Sequence, residues 1–250
     1  MCVDCGCGKP PGIPEPHETA TISLFQNLHQ QNQDLAAHNR EHFRSSGTLV
    51  LNLMSSPGAG KTALLEATLR TLQKNHRCAV LEGDLETELD AQRIRALDIP
   101  VVQITTGSTC HLDAQLVHKA LHSMNLAEID ILFIENVGNL VCPASFDLGQ
   151  HLDIVLLSVT EGDDKPAKYP VMFRTADLLV ISKLDLLPYV GDFRIDRAEN
   201  FLRDLASSAP IISLSARSGL GLDEWLAWVH AQKAKSSVDG AMAVENGGTG

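Results

Sequence analysis

The sequence predicts an α/β fold: a mostly parallel sheet with helices on both faces, preceded by a flexible cysteine-rich N-terminal segment. Three observations predict it. Short runs that are apolar on both faces recur along the chain, as buried parallel strands require. Helical patterns separate most of these runs. Of the six cysteines, three crowd into the head at Cys2, Cys5 and Cys7, ahead of the first such run. At 250 residues, the chain is long enough to bury one core without disulfides or metals.

The opening MCVDCGCG leads into KPPGIPEPHET, whose four prolines between Pro10 and Pro16 make an extended spacer. Residues 1–20 are therefore expected to form a flexible metal-binding head and linker. A helix is expected over 21–44, with Leu24, Leu28, Leu35 and Phe43 on a loose apolar face and Gly47 as its stop. Strands follow at 48–54, 78–82, 100–104, 129–135, 152–159, 177–182 and 210–214. Helices lie between most of them, at 61–75, 86–97, 112–124 and 192–206. A last helix at 222–235 carries Trp225, Leu226, Trp228 and Val229. The domain is thus placed at 21–235, and the Gly- and Ser-rich residues 236–250 are expected to be disordered.

Acidic side chains outnumber basic ones 31 to 20, for a net charge of −11. That excludes a nucleic-acid binder, which needs a basic stripe against phosphate. No apolar run approaches the roughly 20 residues of a membrane span, and the polar first residues do not form a secretory signal. The expected location is cytoplasmic. Thiols stay reduced there, so the cysteines point to metal or catalysis rather than to disulfides.

Directly after the first core strand stands Ser55-Ser56-Pro57-Gly58-Ala59-Gly60-Lys61-Thr62, followed by the helical run Ala63-Leu64-Leu65-Glu66-Ala67. This strand–loop–helix arrangement is the setting of a P-loop NTPase. Gly58, Ala59, Gly60 and Ala63 would present backbone N–H groups to phosphate at a helix N-terminus. Lys61 would reach the β- and γ-phosphates, and the Thr62 hydroxyl would bind Mg²⁺. Ser55 stands where the motif has its first glycine, a slight weakening of the match. The next strand ends at Glu82-Gly83-Asp84. Asp84 would hold Mg²⁺ through water or orient the attacking water, unless it merely caps a helix. The strand at 129–135 runs into Glu135-Asn136-Val137-Gly138, a D-x-x-G switch with Glu for Asp. There Glu135 would act on the Mg²⁺ shell and the Gly138 amide would sense the γ-phosphate.

Ser182-Lys183-Leu184-Asp185 resembles the N-K-x-D guanine motif with Ser for Asn. Asp185 can accept from N1–H and the exocyclic amine of guanine, a pair that adenine lacks. Lys183 would lay its stem along the base. Ser215-Ala216-Arg217 is similar to the loop of G proteins in which an alanine N–H meets the guanine O6. The missing Asn is expected to remove a brace from the loop, not the discriminator.

Cys110 and His111 adjoin in a loop, and Cys142 lies four residues past Gly138. At most about 14 Å of chain ties it to the switch. Thiolate and imidazole suit Zn²⁺ or Ni²⁺, and a second copy of the chain could complete the sphere. Buried cysteines that act as small hydrophobes are the alternative. The head C-x-x-C-G-C can wrap one ion, with backbone nitrogen or the amino terminus as fourth donor, which favours square-planar Ni²⁺. Zn²⁺, an iron–sulfur fragment or redox thiols are its rivals. Cys78 reads as core, and His118, His122 and His151 as surface or core histidines.

MC-x-x-C-G-C, SSPGAGKT, Cys110-His111-Leu112-Asp113-Ala114, ENVGNLVCP, SVTEGDDKP-x-KYP and SKLDLLPYV together resemble the HypB family, the GTPases of [NiFe]-hydrogenase maturation. The resemblance covers the chain from the head to about residue 230. It implies a SIMIBI-class P-loop fold, slow hydrolysis of GTP, and delivery of nickel to the hydrogenase large subunit with a HypA-type accessory protein. It also implies a nickel site at Cys2, Cys5 and Cys7. A second site, for nickel or zinc, would lie at Cys110, His111 and Cys142, where two subunits meet in a GTP-dependent homodimer. The main alternative is a metallochaperone GTPase for another metalloenzyme, such as urease or a cobalamin enzyme. A small-molecule P-loop kinase and a metal-storage protein are further ones.

Overall fold

The computed structural model describes the backbone of residues 18–84, 88–107 and 109–246, with side chains over most of that range. Cys2, Cys5 and Cys7 lie outside the described residues. The elements run α1 (Glu18–Ser46), β1 (Leu49–Ser55), α2 (Lys61–Leu72), β2 (Cys78–Asp84), α3 (Leu89–Arg95), β3 (Val101–Thr105) and α4 (Ala114–Leu121). After these come β4 (Ile131–Glu135), β5 (Leu152–Ser158), α5 (Lys165–Lys168), α6 (Pro170–Thr175), β6 (Leu178–Ser182), α7 (Ile195–Asp204), β7 (Ile211–Ser213) and α8 (Leu222–Asn246).

The seven strands form one sheet in the order β3-β2-β4-β1-β5-β6-β7, and every pairing is parallel. Alternation along each strand sends side chains to opposite faces. Leu49, Leu51 and Leu53 of β1 join Leu64, Leu65, Leu69 and Trp225 on the face covered by α2 and α8. Val50 faces Phe43, Val117 and Leu132 under α1 and α4. Met54 packs with Phe173, Leu179 and Leu202 under α6 and α7. The buried Trp225 Nε1 donates to Thr68 Oγ1 at 2.8 Å, pinning α8 to α2.

Two expectations change. The final helix continues to Asn246, so 236–246 is helical and not disordered. Ala, Met, Val and Glu in that stretch are compatible with a helix, and the one glycine among them, Gly240, costs only about 1 kcal/mol. The segment 165–175, given no element by the sequence, forms the short helices α5 and α6. Pro166 and Pro170 there stand at helix starts, where a missing N–H costs nothing.

Helix α1 is fixed to the domain by amides rather than by apolar contact alone. Asn32 Oδ1 accepts from Ala114 N at 2.9 Å, and Asn32 Nδ2 donates to Asp147 O at 2.8 Å. Asn39 Nδ2 donates to Ala114 O at 2.9 Å and to Leu148 O at 3.1 Å. Gly149 lies under this contact at φ 92, and a Cβ there would come within 2.6 Å of Ala36 O. Gly149→Ala should therefore destabilise the protein by about 1–3 kcal/mol, through left-handed strain and displacement of α1. A lowered urea midpoint with an unchanged slope would register that.

Candidate functional site

Where β1 ends and α2 begins, Gly60 takes φ 100, a conformation open to glycine, and so turns the chain into the helix. The free N–H groups of the first turn, from Lys61, Thr62 and Ala63, then surround the loop. Lys61 is buried and its Nζ donates to Ser55 Oγ at 3.1 Å. The serine that departs from the motif thus gives the lysine a polar partner. Burial lowers the Lys61 pKa, while the nearby carboxylates, Glu135 first, oppose the shift.

Thr62 Oγ1 donates to Glu135 Oε1 at 2.7 Å, across from the end of β4. Glu82 sits directly opposite Glu135 in the β2–β4 register. Burial pushes the Glu135 carboxyl up to about 7. Burial, with the charges of Glu135 and Asp84, pushes Glu82 up to about 8. Glu82 Oε2 and Glu135 Oε2 are buried without a hydrogen-bond partner. Orphaned carboxylate oxygens beside a hydroxyl suit a hard divalent cation such as Mg²⁺. Asp84 lines the same cavity of about 340 Å³, together with Gly58, Lys61, Thr62 and Gly138. A larger cavity of about 1070 Å³ lies at the amino ends of the strands around Cys78 and Asp130. Ligands of open parallel sheets bind at the carboxyl ends, so the smaller cavity is the candidate.

Sequence reasoning missed Glu82, Asp90 and Arg93, which also line this cavity. Arg93 bonds Glu66 at 2.6 Å and Asp90 at 2.8 Å. For Glu82 the signal was a carboxylate inside an otherwise apolar strand. Gly138 lies so close to the loop that a Cβ would meet Pro57 Cα at 2.8 Å. Only glycine lets the switch rest on the loop backbone.

On the other side of the loop, Ser182 Oγ donates to Ala59 O at 2.7 Å. The expected loss of a brace is therefore corrected: the shorter Ser still holds the phosphate loop, because β6 ends close enough for its hydroxyl. Lys183 takes the left-handed φ of 57, and its Nζ donates to Gly58 O at 2.6 Å. Ser215 Oγ donates to Asp185 Oδ1 at 2.6 Å, and Leu184 N donates to Leu214 O at 3.0 Å. Asp185, Ser215 and Ala216 thus belong to two joined loops.

Cys110, His111 and Cys142 also converge, with their donor atoms all within 4.8 Å of one another. The two sulfurs are 3.0 Å apart, and His111 stacks on Phe146 at 3.9 Å between centroids. Their mutual hydrogen bond raises the Cys142 pKa. Two thiols and an imidazole at this spacing fit Zn²⁺ or Ni²⁺. Asn139 Nδ2 donates to Cys110 O at 3.3 Å and Asn136 Oδ1 accepts from Leu112 N at 3.2 Å, which joins this cluster to the switch. Cys78 is buried in β2, its thiol pushed up to about 12 by burial, as expected of core.

The raised carboxyls carry a pH prediction. An acid whose folded pKa exceeds its unfolded value destabilises the fold as pH rises between the two. For Glu82 that window runs from the ordinary glutamate value to about 8. Glu82→Gln should raise the urea midpoint of the ligand-free protein above the window and leave it nearly unchanged below. Equal effects at both ends would contradict the assignment.

Residues 49–213 match the model of the CobW/HypB/UreG nucleotide-binding domain. The hydrogenase maturation factor HypB of Escherichia coli K12 is 51% identical over 203 residues, 81% of this chain and 70% of that protein. HypB of Azotobacter vinelandii is 48% identical over 216 residues, 86% of this chain and 71% of its own. A crystal structure of HypB from Helicobacter pylori in complex with nickel superposes with a TM-score of 0.79 at 41% identity, covering 83% of this chain and 97% of that one. Motifs, sheet order and these relatives agree: the chain belongs to the HypB family of hydrogenase maturation factors and carries its nucleotide-binding domain.

Proposed function

We propose that this chain is a GTP-hydrolysing nickel metallochaperone that delivers Ni²⁺ to the [NiFe]-hydrogenase large subunit. The observation that carries the reading is the pair of hydrogen bonds that the side-chain amides of Asn136 and Asn139 make with the Cys110–Leu112 loop. They join the candidate γ-phosphate switch to the candidate metal ligands.

GTP enters with its phosphates over Gly58–Ala63. Lys61 leaves Ser55 and neutralises the β- and γ-phosphate oxygens. Asp185, oriented by Ser215, accepts from N1–H and the exocyclic amine of guanine. Lys183 covers the base, and the Ala216 N–H meets O6. Thr62, Asp84 and Glu135 would hold Mg²⁺, which screens charge on the phosphate oxygens. Asp84 orients water for attack at the γ-phosphorus, and the bond to the β-bridging oxygen breaks to leave GDP and phosphate. Positioning without a strong general base accounts for slow turnover. Gly138 follows the γ-phosphate, and the Asn136 and Asn139 bonds carry its movement to Cys110, His111 and Cys142. Nickel or zinc held there, in a GTP-dependent homodimer, would bind differently in the two nucleotide states. Cys2, Cys5 and Cys7 would capture Ni²⁺ and pass it on with a HypA-type accessory protein in the cytoplasm. Among the described residues no helix is long and apolar enough to cross a membrane.

Asp185→Asn should weaken GTP binding by about 100-fold, since the amide offers a donor where guanine also donates. Xanthosine triphosphate, with a carbonyl in place of the amine, should gain affinity, and fluorescent-nucleotide titration reads both. Nickel affinity at the Cys110 site should differ between GDP and a non-hydrolysable GTP analogue; identical values would overturn the coupling. Loading apo-hydrogenase large subunit and apo-urease in parallel separates the two cargo recipients.

A further inference from the structure

Four histidines far apart in the sequence meet on the outer face of α1 and α4. His38 and His42 are one turn apart on α1, and His118 and His122 are one turn apart on α4 and its C-cap. His42 Nε2 and His38 Nε2 lie 3.0 Å apart. One donor atom each from His38, His42 and His118 fall within 4.8 Å of one another. The His122 ring stands edge-on to His118 at 4.9 Å between centroids.

The polar surroundings set the ring orientation. Asn39 is fully buried and its Nδ2 is committed to the carbonyls of Ala114 and Leu148. Its Oδ1 must therefore accept, and it does so from His118 Nδ1 at 3.0 Å. That bond places the proton on Nδ1 and leaves the His118 Nε2 lone pair for a ligand, the arrangement by which outer-shell groups prepare metal-binding histidines. A hydrogen-bonded pair of imidazole nitrogens explains the His38–His42 contact only as far as one shared proton. A cation bound by both accounts for the spacing equally well. Ligands about 2.1 Å from one ion lie about 3.0 Å apart at right angles and about 3.4 Å apart at the tetrahedral angle.

We propose that His38, His42 and His118, with His122 at the margin, form an all-imidazole site for a borderline divalent transition metal, with Ni²⁺ in right-angled coordination as the fitting ion. The site is separate from the thiolate clusters in sequence and chemistry. Its ligands are neutral, so they leave the ion's charge uncompensated. It holds the metal more weakly than thiolates and releases it more readily, which suits exchange at a surface.

Equilibrium dialysis of Ni²⁺ against the full chain at neutral pH tests this. His38→Ala with His42→Ala replaces exposed helix residues by the best helix former, so folding should persist; far-UV circular dichroism checks it. The double variant should bind one equivalent fewer, with the thiolate-to-nickel absorption unchanged. His118→Ala should lose the same equivalent or bind it at least about tenfold more weakly. Unchanged stoichiometry and affinity in both variants would overturn the site, as would loss of an equivalent that carries the thiolate absorption.

Discussion

The hydroxyl of Thr62 and the carboxylate of Glu135 meet at 2.7 Å where α2 begins and β4 ends. Everything at the carboxyl edge of the sheet is arranged about that contact. It requires β1 and β4 to be neighbours in register, which their pairing from Leu49 with Ile131 to Leu53 with Glu135 provides. It also brings Glu135 beside Glu82 and under Lys61, so two carboxyls and an ammonium share a space largely closed to water. Burial disfavours the charged form of each. A divalent cation and a polyphosphate would favour the charged forms that this burial disfavours.

From the same strand end the chain continues through Asn136 to Gly138 and Asn139. Asn136 Nδ2 donates to Asn52 Oδ1 at 3.3 Å, and Asn52 Nδ2 donates to Asp153 Oδ1 at 2.8 Å. These polar groups in an otherwise apolar sheet centre form one satisfied run from β5 to the switch and on to Leu112. Such a run has few alternative arrangements, because a partner lost inside the sheet leaves a costly unpaired group. A displacement of Gly138 away from Pro57 would have to change partners along this run. Cys110, His111 and Cys142 lie at the far end of this run.

Helix α1 has a second polar construction, built on Asn32 and Asn39. These residues dock the helix on the N-terminus of α4 and on the 147–149 segment. The same docking brings the α1 histidines over His118, so one buried amide both fixes a helix and orients an imidazole.

Much of this was legible in the sequence. The strands were placed because parallel strands buried on both faces must be apolar throughout, and the phosphate loop because its glycines serve backbone geometry. Cys142 was tied to the switch by chain length alone. Other features depend on contacts between distant residues. The Ser182 brace needs the distance from β6 to Ala59. The raised Glu82 and Glu135 carboxyls need the β2–β4 register, which no local pattern encodes. The histidines of α1 and α4 are separated by three whole strands; His118 and His122 read as surface or core residues, and nothing in the local pattern singled out His38 and His42. Their convergence depends on where two helices pack. The sequence by itself determined the fold class and the chemistry of the loops, since periodicity and backbone freedom are local properties. Only the tertiary structure decided which charges share a dry space and which ligands face one another, because burial and proximity belong to the packed chain.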